Sequence, residues 1–118
     1  MISNEGRRPE RVAELVLREL SMMLLRDLKD PRLRGVTITG VKVTDDLRHA
    51  RVFFSHLEGS RRAAAVIAGF DSAGGFIRRQ VGRALSLRYA PELAFEFDPG
   101  PERAARIDTL LRQDRSRN

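Results

Sequence analysis

The first third of the chain has an amphipathic pattern, with apolar residues three and four positions apart between about Pro9 and Lys29. That spacing places the apolar side chains on one face of an α-helix. They are Val12, Leu15, Val16, Leu20, Met23, Leu24 and Leu28. Pro9 suits the first turn of a helix, and Pro31 disfavours a helical conformation at the residue before it. We therefore expect a helix over residues 9–29, preceded by a flexible arm at residues 1–8.

A strand pattern of alternating apolar and polar residues begins after Gly35 and changes phase by one position at Gly40. Its apolar positions are Val36, Ile38, Val41 and Val43. A β-bulge at Thr39–Gly40 would return all of them to one face of a sheet. A turn at residues 45–48 then leads to a second strand, which completes a hairpin. The apolar positions of the second strand are Ala50, Val52 and Phe54.

The next segment contains two helical patterns that are separated by a break at residues 72–75. The apolar positions are Ala63, Val66, Ile67 and Phe70 before the break and Ile77, Val81, Ala84 and Leu85 after it. Glycine within a helix costs about 1 kcal/mol relative to alanine, so Gly74 and Gly75 together indicate a kink. A positive φ at either glycine would explain its presence. The alternative is one continuous helix over residues 61–89.

A third strand and a short helix complete the predicted fold. The apolar positions of this strand are Leu93, Phe95 and Phe97. A final helix is expected over Glu102–Arg112, followed by a frayed C-terminus at residues 113–118. The element order indicates an α+β fold, with helices packed on one face of a three-stranded sheet. We expect one domain over residues 9–112.

Composition narrows the class of protein further. A length of 118 residues fits one domain, and the absence of cysteine excludes disulfides and thiolate metal sites. No apolar run approaches the ~20 residues that span a bilayer. The first eight residues contain no apolar segment, so no secretory signal is expected. We therefore expect a cytoplasmic protein that does not bind membranes.

Positive charge is concentrated between residues 61 and 89. The chain carries a formal net charge of +6, and this segment contains Asp71 as its only acid. Its arginines are Arg61, Arg62, Arg78, Arg79, Arg83 and Arg88. Arginines beside a kink with accessible backbone N–H groups suit a phosphate backbone. The alternative is a solvated helix face that only maintains solubility, but the clustering favours RNA.

A second, smaller group of cations is predicted where the first helix ends. Lys29, Arg32 and Arg34 surround Asp30 in the sequence, and both RNA contact and simple solvation remain open for them. The complete set of candidate RNA-binding residues is Lys29, Arg32, Arg34, Arg61, Arg62, Ala73, Gly74, Gly75, Arg78, Arg79, Arg83 and Arg88.

Catalytic chemistry has little support in the sequence. The two histidines, His49 and His56, fall in or beside predicted strands. Ser55 is adjacent to His56, so their side chains point to opposite faces of a strand and cannot form a nucleophile–base pair. No phosphate-binding loop, zinc spacing or dinucleotide fingerprint is present. We expect a protein without enzymatic activity, cofactor or metal.

The element order, with a basic helix–turn–helix before the last strand, resembles the type II KH domain, a fold that holds single-stranded nucleic acid. Five short strings, taken together and in order, resemble the bacterial ribosome-binding factor A family from about Arg8 to Asp98. In that family an Ala-x-Gly kink replaces the GxxG loop of KH domains, and Ala73-Gly74-Gly75 matches it. The strings are Arg8-Pro9-Glu10-Arg11-Val12, Lys29-Asp30-Pro31-Arg32-Leu33, Asp46-Leu47-Arg48-His49-Ala50, Ala73-Gly74-Gly75-Phe76-Ile77-Arg78 and Leu87-Arg88-Tyr89-Ala90-Pro91-Glu92-Leu93.

The resemblance implies a KH-like assembly factor of the small ribosomal subunit. Such a factor binds free 30S subunits rather than 70S ribosomes, assists late 16S rRNA maturation and supports growth in the cold. We expect it to act as a monomer. Two other functions remain open from the residues alone. One is an adaptor whose basic face docks an acidic protein, and the other is a small hydrolase on a KH-like frame.

Overall fold

The computed structural model describes residues 8–101, 103 and 109–112. Its helices are α1 (Pro9–Arg26), α2 (Ala63–Ser72) and α3 (Gly74–Ala84), with 3₁₀ turns at Pro31–Leu33 and Gly59–Arg62. Its strands are β1 (Val36–Val43), β2 (His49–His56) and β3 (Glu92–Phe97). The predicted order of these elements is confirmed.

The two ends of the predicted domain are only partly described. The arm predicted at residues 1–8 lies outside the described residues except for Arg8. Of the helix predicted over Glu102–Arg112, residues 103 and 109–112 are described and helical, and the other residues lie outside. The frayed C-terminus predicted at residues 113–118 also lies outside.

The central strand is β2, which pairs antiparallel with β1 and parallel with β3. Parallel neighbours require a crossover connection, and α2 and α3 supply it. The parallel register sets His49 opposite Glu92, and the Glu92 N–H donates to the Arg48 carbonyl at 2.8 Å. The residues before β3 therefore lie beside the β1–β2 turn.

The predicted bulge in β1 is confirmed. The pairing register shifts between Ile38 and Gly40 and leaves Thr39 as the extra residue. The Thr39 hydroxyl donates a hydrogen bond to an Asp98 carboxylate oxygen at 2.8 Å. The bulge therefore restores the buried face of β1 and also fixes the segment after β3.

The core lies between the helices and one face of the sheet. Phe54 of β2 is fully buried and packs edge-on against Phe70 of α2 and Phe97 of β3, with ring centroids 6.0 and 5.9 Å apart. Phe70 also stacks on Phe95 at 4.0 Å. These aromatic contacts fix α2 on the sheet. The other buried members of the core are Val12, Val16, Leu20, Met23, Leu33, Ile38, Leu47, Val52, Val66, Ile77, Val81, Leu85 and Leu87.

The opposite face of the sheet carries polar side chains. Arg51 pairs with Glu96 at 2.8 Å, and its guanidinium lies 5.2 Å from the Phe53 ring centroid. Lys42 is exposed and pairs in register with Arg51. Since successive residues of a strand point to opposite faces, Lys42 lies on the side of the sheet away from the helices.

Helix α1 ends at Arg26 rather than at Lys29, so its predicted end is wrong. The Met23 carbonyl accepts N–H bonds of 2.8 and 2.9 Å from the two residues that follow the helix. The chain therefore leaves the helix axis there, and Leu28 packs against the core. Pro31 begins a separate 3₁₀ turn, so the proline marks the next element rather than the end of α1.

Candidate nucleic-acid interface

The kink between α2 and α3 is made by one residue, Ala73. Its φ of −92° and ψ of 4° place it in the bridge region, which alanine adopts without a positive φ. The predicted kink is confirmed, and the continuous helix is excluded. The positive φ considered for Gly74 or Gly75 is wrong, because both begin α3 and the positive-φ glycines of the described residues are Gly35 and Gly59.

The two glycines at the kink are not required by packing within the described chain. A β-carbon at Gly74 would have no described atom of another segment within 4 Å. At Gly75 it would meet only the guanidinium end of the Arg79 side chain, at 3.2 Å. Ala73 has no polar side-chain atom, so it cannot cap the N-terminus of α3. The glycines thus leave bare backbone at a helix N-terminus, where N–H groups lack intrahelical partners.

Three exposed arginines follow the kink on α3. Arg78, Arg79 and Arg83 lie on its outer side, while Ile77 and Val81 are fully buried. Within the described part of the chain, no carboxylate forms an ion pair with any of the three arginines. We call these arginines and the kink residues Ala73, Gly74 and Gly75 the α3 basic surface. Its positive charge is available to a ligand.

Arg32 lies beside the kink but is already engaged. Its guanidinium contacts the Asp30 carboxylate at 2.6 Å and donates to the Ser72 hydroxyl at 3.1 Å. Side-chain and backbone hydrogen bonds from Arg32 hold the pKa of Asp30 below its ordinary value of 3.8. Lys29 and Arg34 are exposed, and no described carboxylate pairs with either. Arg32 therefore links its turn to α2, whereas the other two keep their charge available.

Arg61 and Arg62 lie at the far end of α2 from the kink. They close the 3₁₀ turn before this ten-residue helix, which spans about 15 Å at 1.5 Å per residue. Both contact Glu58: Arg61 through an ion pair, and Arg62 through its Nε at 3.7 Å. The sequence did not reveal this compensation, because Glu58 lies before the arginine-rich segment that begins at Arg61.

The structure adds two residues that the sequence did not single out, Arg48 and Tyr89. The guanidinium carbons of Arg88 and Arg48 lie 5.3 and 6.0 Å from the Tyr89 ring centroid. Parallel pairing of β2 and β3 brings Arg48 to this place. Arg78 donates to the Ala90 carbonyl at 3.5 Å, which connects the α3 basic surface to the same loop. Arg48 and Tyr89 belong to two of the five strings that resemble the ribosome-binding factor A family. That resemblance was the sequence feature that could have indicated them.

His56 has a structural role. The Glu58 N–H donates to its Nδ1 at 2.9 Å, so Nε2 carries the proton and donates to the Arg34 carbonyl at 2.7 Å. His49 lies at the start of β2, 3.6 Å from a Glu92 carboxylate oxygen.

Among the described residues, no group of three or more acidic or histidine side chains could hold a metal ion, and no described helix is long and apolar enough to cross a membrane.

A sequence model of the family described as ribosome-binding factor A matches residues 8–111. The chain belongs to the ribosome-binding factor A family. The ribosome-binding factor A of Geobacter metallireducens is 43% identical over 107 residues, which cover 91% of this chain and 91% of that protein. That of Syntrophus aciditrophicus is 44% identical and covers 91% and 87%. The resemblance seen in the five strings is confirmed.

Solved structures of the same family share the fold. The crystal structure of ribosome-binding factor A from Thermus thermophilus superposes with a TM-score of 0.65 at 20% identity, covering 76% of this chain and 96% of that one. A homology model of the Thermus thermophilus protein, fitted into the cryo-EM map of its complex with 30S, gives 0.63 at 22% identity and covers 79% and 97%. The family fold is KH-like, so the predicted fold class is confirmed.

Proposed function

We propose that this protein is a non-enzymatic assembly factor that binds the 30S ribosomal subunit through the α3 basic surface. It would act in the cytoplasm and assist late maturation of 16S rRNA. The Thermus thermophilus member of its family is described in a complex with 30S. In this chain, one observation carries the proposal: bare glycine backbone at the kink lies beside arginines that no described carboxylate neutralises.

The chemistry of the α3 basic surface suits a phosphate backbone. Arg79 and Arg83 are four residues apart and share one side of the helix. Guanidinium groups bind phosphate oxygens through two parallel N–H bonds. The N-terminus of α3 adds backbone N–H groups and the positive end of the helix dipole. A glycine that no internal contact requires allows a phosphate to approach the backbone closely.

The other candidate residues extend this contact to different degrees. Lys29 and Arg34 are exposed and would bind flanking phosphates. Arg88 lies 5.3 Å from the Tyr89 ring centroid and would bind a phosphate beside that ring. Arg32, Arg61 and Arg62 each hold a carboxylate within the chain, so they would have to exchange that partner for RNA. We therefore rank the α3 basic surface first.

Assembly assistance follows if the protein binds immature rRNA more tightly than mature rRNA. A ligand shifts a conformational equilibrium only by its difference in affinity for the two states. Phosphate contacts carry no sequence information, so this difference must arise from the shape of the rRNA. The protein, acting as a monomer, would hold an immature conformation of the free 30S subunit and leave when that shape is lost.

The test is cosedimentation of a charge-reversed variant with 30S subunits. The double variant Arg79→Glu/Arg83→Glu should lose binding, because it reverses two phosphate contacts. The matched control is Lys42→Glu/Arg18→Glu, which changes net charge equally at exposed positions on the outer sheet face and on α1. The control should bind nearly as the unaltered protein does. Equal binding by both variants, with both folded, would contradict the proposal.

A further inference from the structure

The loop between α3 and β3 is held firmly on both sides of Arg88 and Tyr89. Leu87 is buried, with 2% of its surface exposed, and Pro91 is also buried. The Leu87 N–H donates to the Gly82 carbonyl at 3.0 Å. Gly82 also packs against Ala90 so closely that a β-carbon at Gly82 would lie 3.2 Å from that of Ala90. The two residues between these anchors are therefore presented outward on a fixed backbone.

Tyr89 is 54% exposed although it is a large aromatic residue. The Arg88 and Arg48 guanidinium carbons lie 5.3 and 6.0 Å from its ring centroid, within the about 6 Å at which a cation is attracted to an aromatic face. The side chain borders a cleft of about 420 Å³, lined by Arg48, His49, Tyr89, Ala90 and Glu92. That volume lies in the range of small-molecule sites, about 300–1,000 Å³.

We infer that Tyr89 is a stacking platform for an unpaired nucleobase, with Arg48 and Arg88 holding the adjoining phosphates. This inference rests on the proposed function and names a particular contact for it. Proteins bind single-stranded nucleic acid by combining a cationic track with aromatic side chains on which bases stack. Here the track is the α3 basic surface, which Arg78 joins to this loop through the Ala90 carbonyl at 3.5 Å.

The charges around the cleft decide how a nucleotide lies in it. Arg48 and Arg88 lie near the Tyr89 ring, whereas the Glu92 carboxylate lies 3.6 Å from His49 Nδ1. Glu92 repels phosphate, so the backbone of the nucleotide must follow the two arginines. The base then covers the ring, because an arginine that moves from the ring to a phosphate exchanges a cation–π contact for an ion pair.

The chain offers a direct reporter for this contact. Tyr89 is the only tyrosine and there is no tryptophan, so incorporation of 3-fluorotyrosine into the full chain gives one ¹⁹F resonance. Titration with a cytidine hexaribonucleotide should shift that resonance through the ring current of the stacked base. An abasic hexamer of equal charge should bind through phosphates but shift it far less. Equal shifts with both oligomers, or with an oligoglutamate peptide, would overturn the inference.

Variants of Tyr89 carry the test to the 30S subunit. Tyr89→Phe keeps the ring and should bind within about twofold of the unaltered protein, whereas Tyr89→Leu should bind roughly 5- to 100-fold more weakly. Thermal melts verify that both fold, as expected for an exposed side chain. If Tyr89→Leu binds normally while Arg79→Glu/Arg83→Glu does not, stacking is refuted and the proposed function stands. If neither variant loses binding, the proposed function fails with it.

Discussion

Gly35 and His56 lie so close together that a β-carbon on Gly35 would be 3.1 Å from the Nε2 atom of His56. Gly35 precedes β1 and His56 ends β2, so the contact closes the end of the hairpin. Gly35 also has a φ of +83°, and its carbonyl accepts the Leu57 N–H at 3.1 Å. Both the backbone angle and the space at this position therefore require glycine.

Gly35→Ala should destabilise the fold by about 1–2 kcal/mol, because a positive φ strains alanine and its methyl group crowds His56. Gly40→Ala is the control. Gly40 has no positive φ, and its added β-carbon would lie 3.9 Å from Phe53, so the change should stay within about 0.5 kcal/mol. Denaturant unfolding of both variants measures the difference. Equal losses of stability in the two variants would contradict the explanation from the positive φ of Gly35 and its contact with His56.

Gly74→Ala should separate stability from binding. The added methyl group meets open space, and alanine favours the helix, so stability should rise by up to about 0.4–1 kcal/mol. Binding to 30S subunits should nevertheless weaken, because the methyl group stands where a phosphate approaches. Thermal melts and cosedimentation of the same preparation give both values. A variant that is more stable and binds normally would remove the functional reason for this glycine.

Lowering the pH should destabilise the fold, and protonation of Asp98 should account for part of that loss. Hydrogen bonds from the Gly100 N–H and the Thr39 hydroxyl, each 2.8 Å, lower the pKa of Asp98 from its ordinary 3.8. A carboxyl with a lowered folded-state pKa contributes stability above its unfolded pKa and loses it as pH falls through the folded value. The free energy of unfolding should therefore decline below about pH 4, as carboxyls with lowered pKa take up protons.

Asp98→Asn isolates that contribution. The variant should be less stable than the unaltered protein at neutral pH, and the difference should shrink as the pH falls below the ordinary pKa of 3.8. Asp45→Asn is the control, since Asp45 is exposed and the neighbouring Asp46 is the residue that accepts hydrogen bonds in this turn, from the Thr44 hydroxyl and the Arg48 N–H. Denaturant titrations from strongly acidic to neutral pH give the curves. A constant difference across that range would contradict the linkage to Asp98.

The hydrophobic pattern predicted most of the fold because buried faces impose strict periodicity. The change of phase at Gly40 could be resolved only by a bulge, since otherwise half of β1 would turn its apolar side chains to solvent. The end of α1 was missed because Pro31 is a strong stop signal for the residue before it, whereas nothing in the sequence requires the helix to continue that far. A bond to the Met23 carbonyl ended it earlier.

The site was less predictable because it depends on pairings that are distant in sequence. The cluster of arginines was visible as composition, but its compensation by Glu58 was not, because that acid lies outside the cluster. Arg48 meets Tyr89 only because β3 pairs parallel with β2, and an alternating strand pattern does not specify which neighbour it joins. Gly74 indicated a break correctly, but glycine is common both where φ is positive and where a partner approaches, so the sequence could not decide its conformation.

The salt dependence of 30S binding tests the central claim most directly. If about four to six phosphates are contacted, log K against log salt should be linear with a slope on the order of −3 to −5, at about −0.7 to −0.9 per contact. Arg79→Ala should flatten the slope by a little under about one unit, whereas Lys42→Ala, on the outer face of the sheet, should leave it unchanged. An affinity that does not depend on salt would contradict phosphate binding by the α3 basic surface and would favour an adaptor that docks a protein.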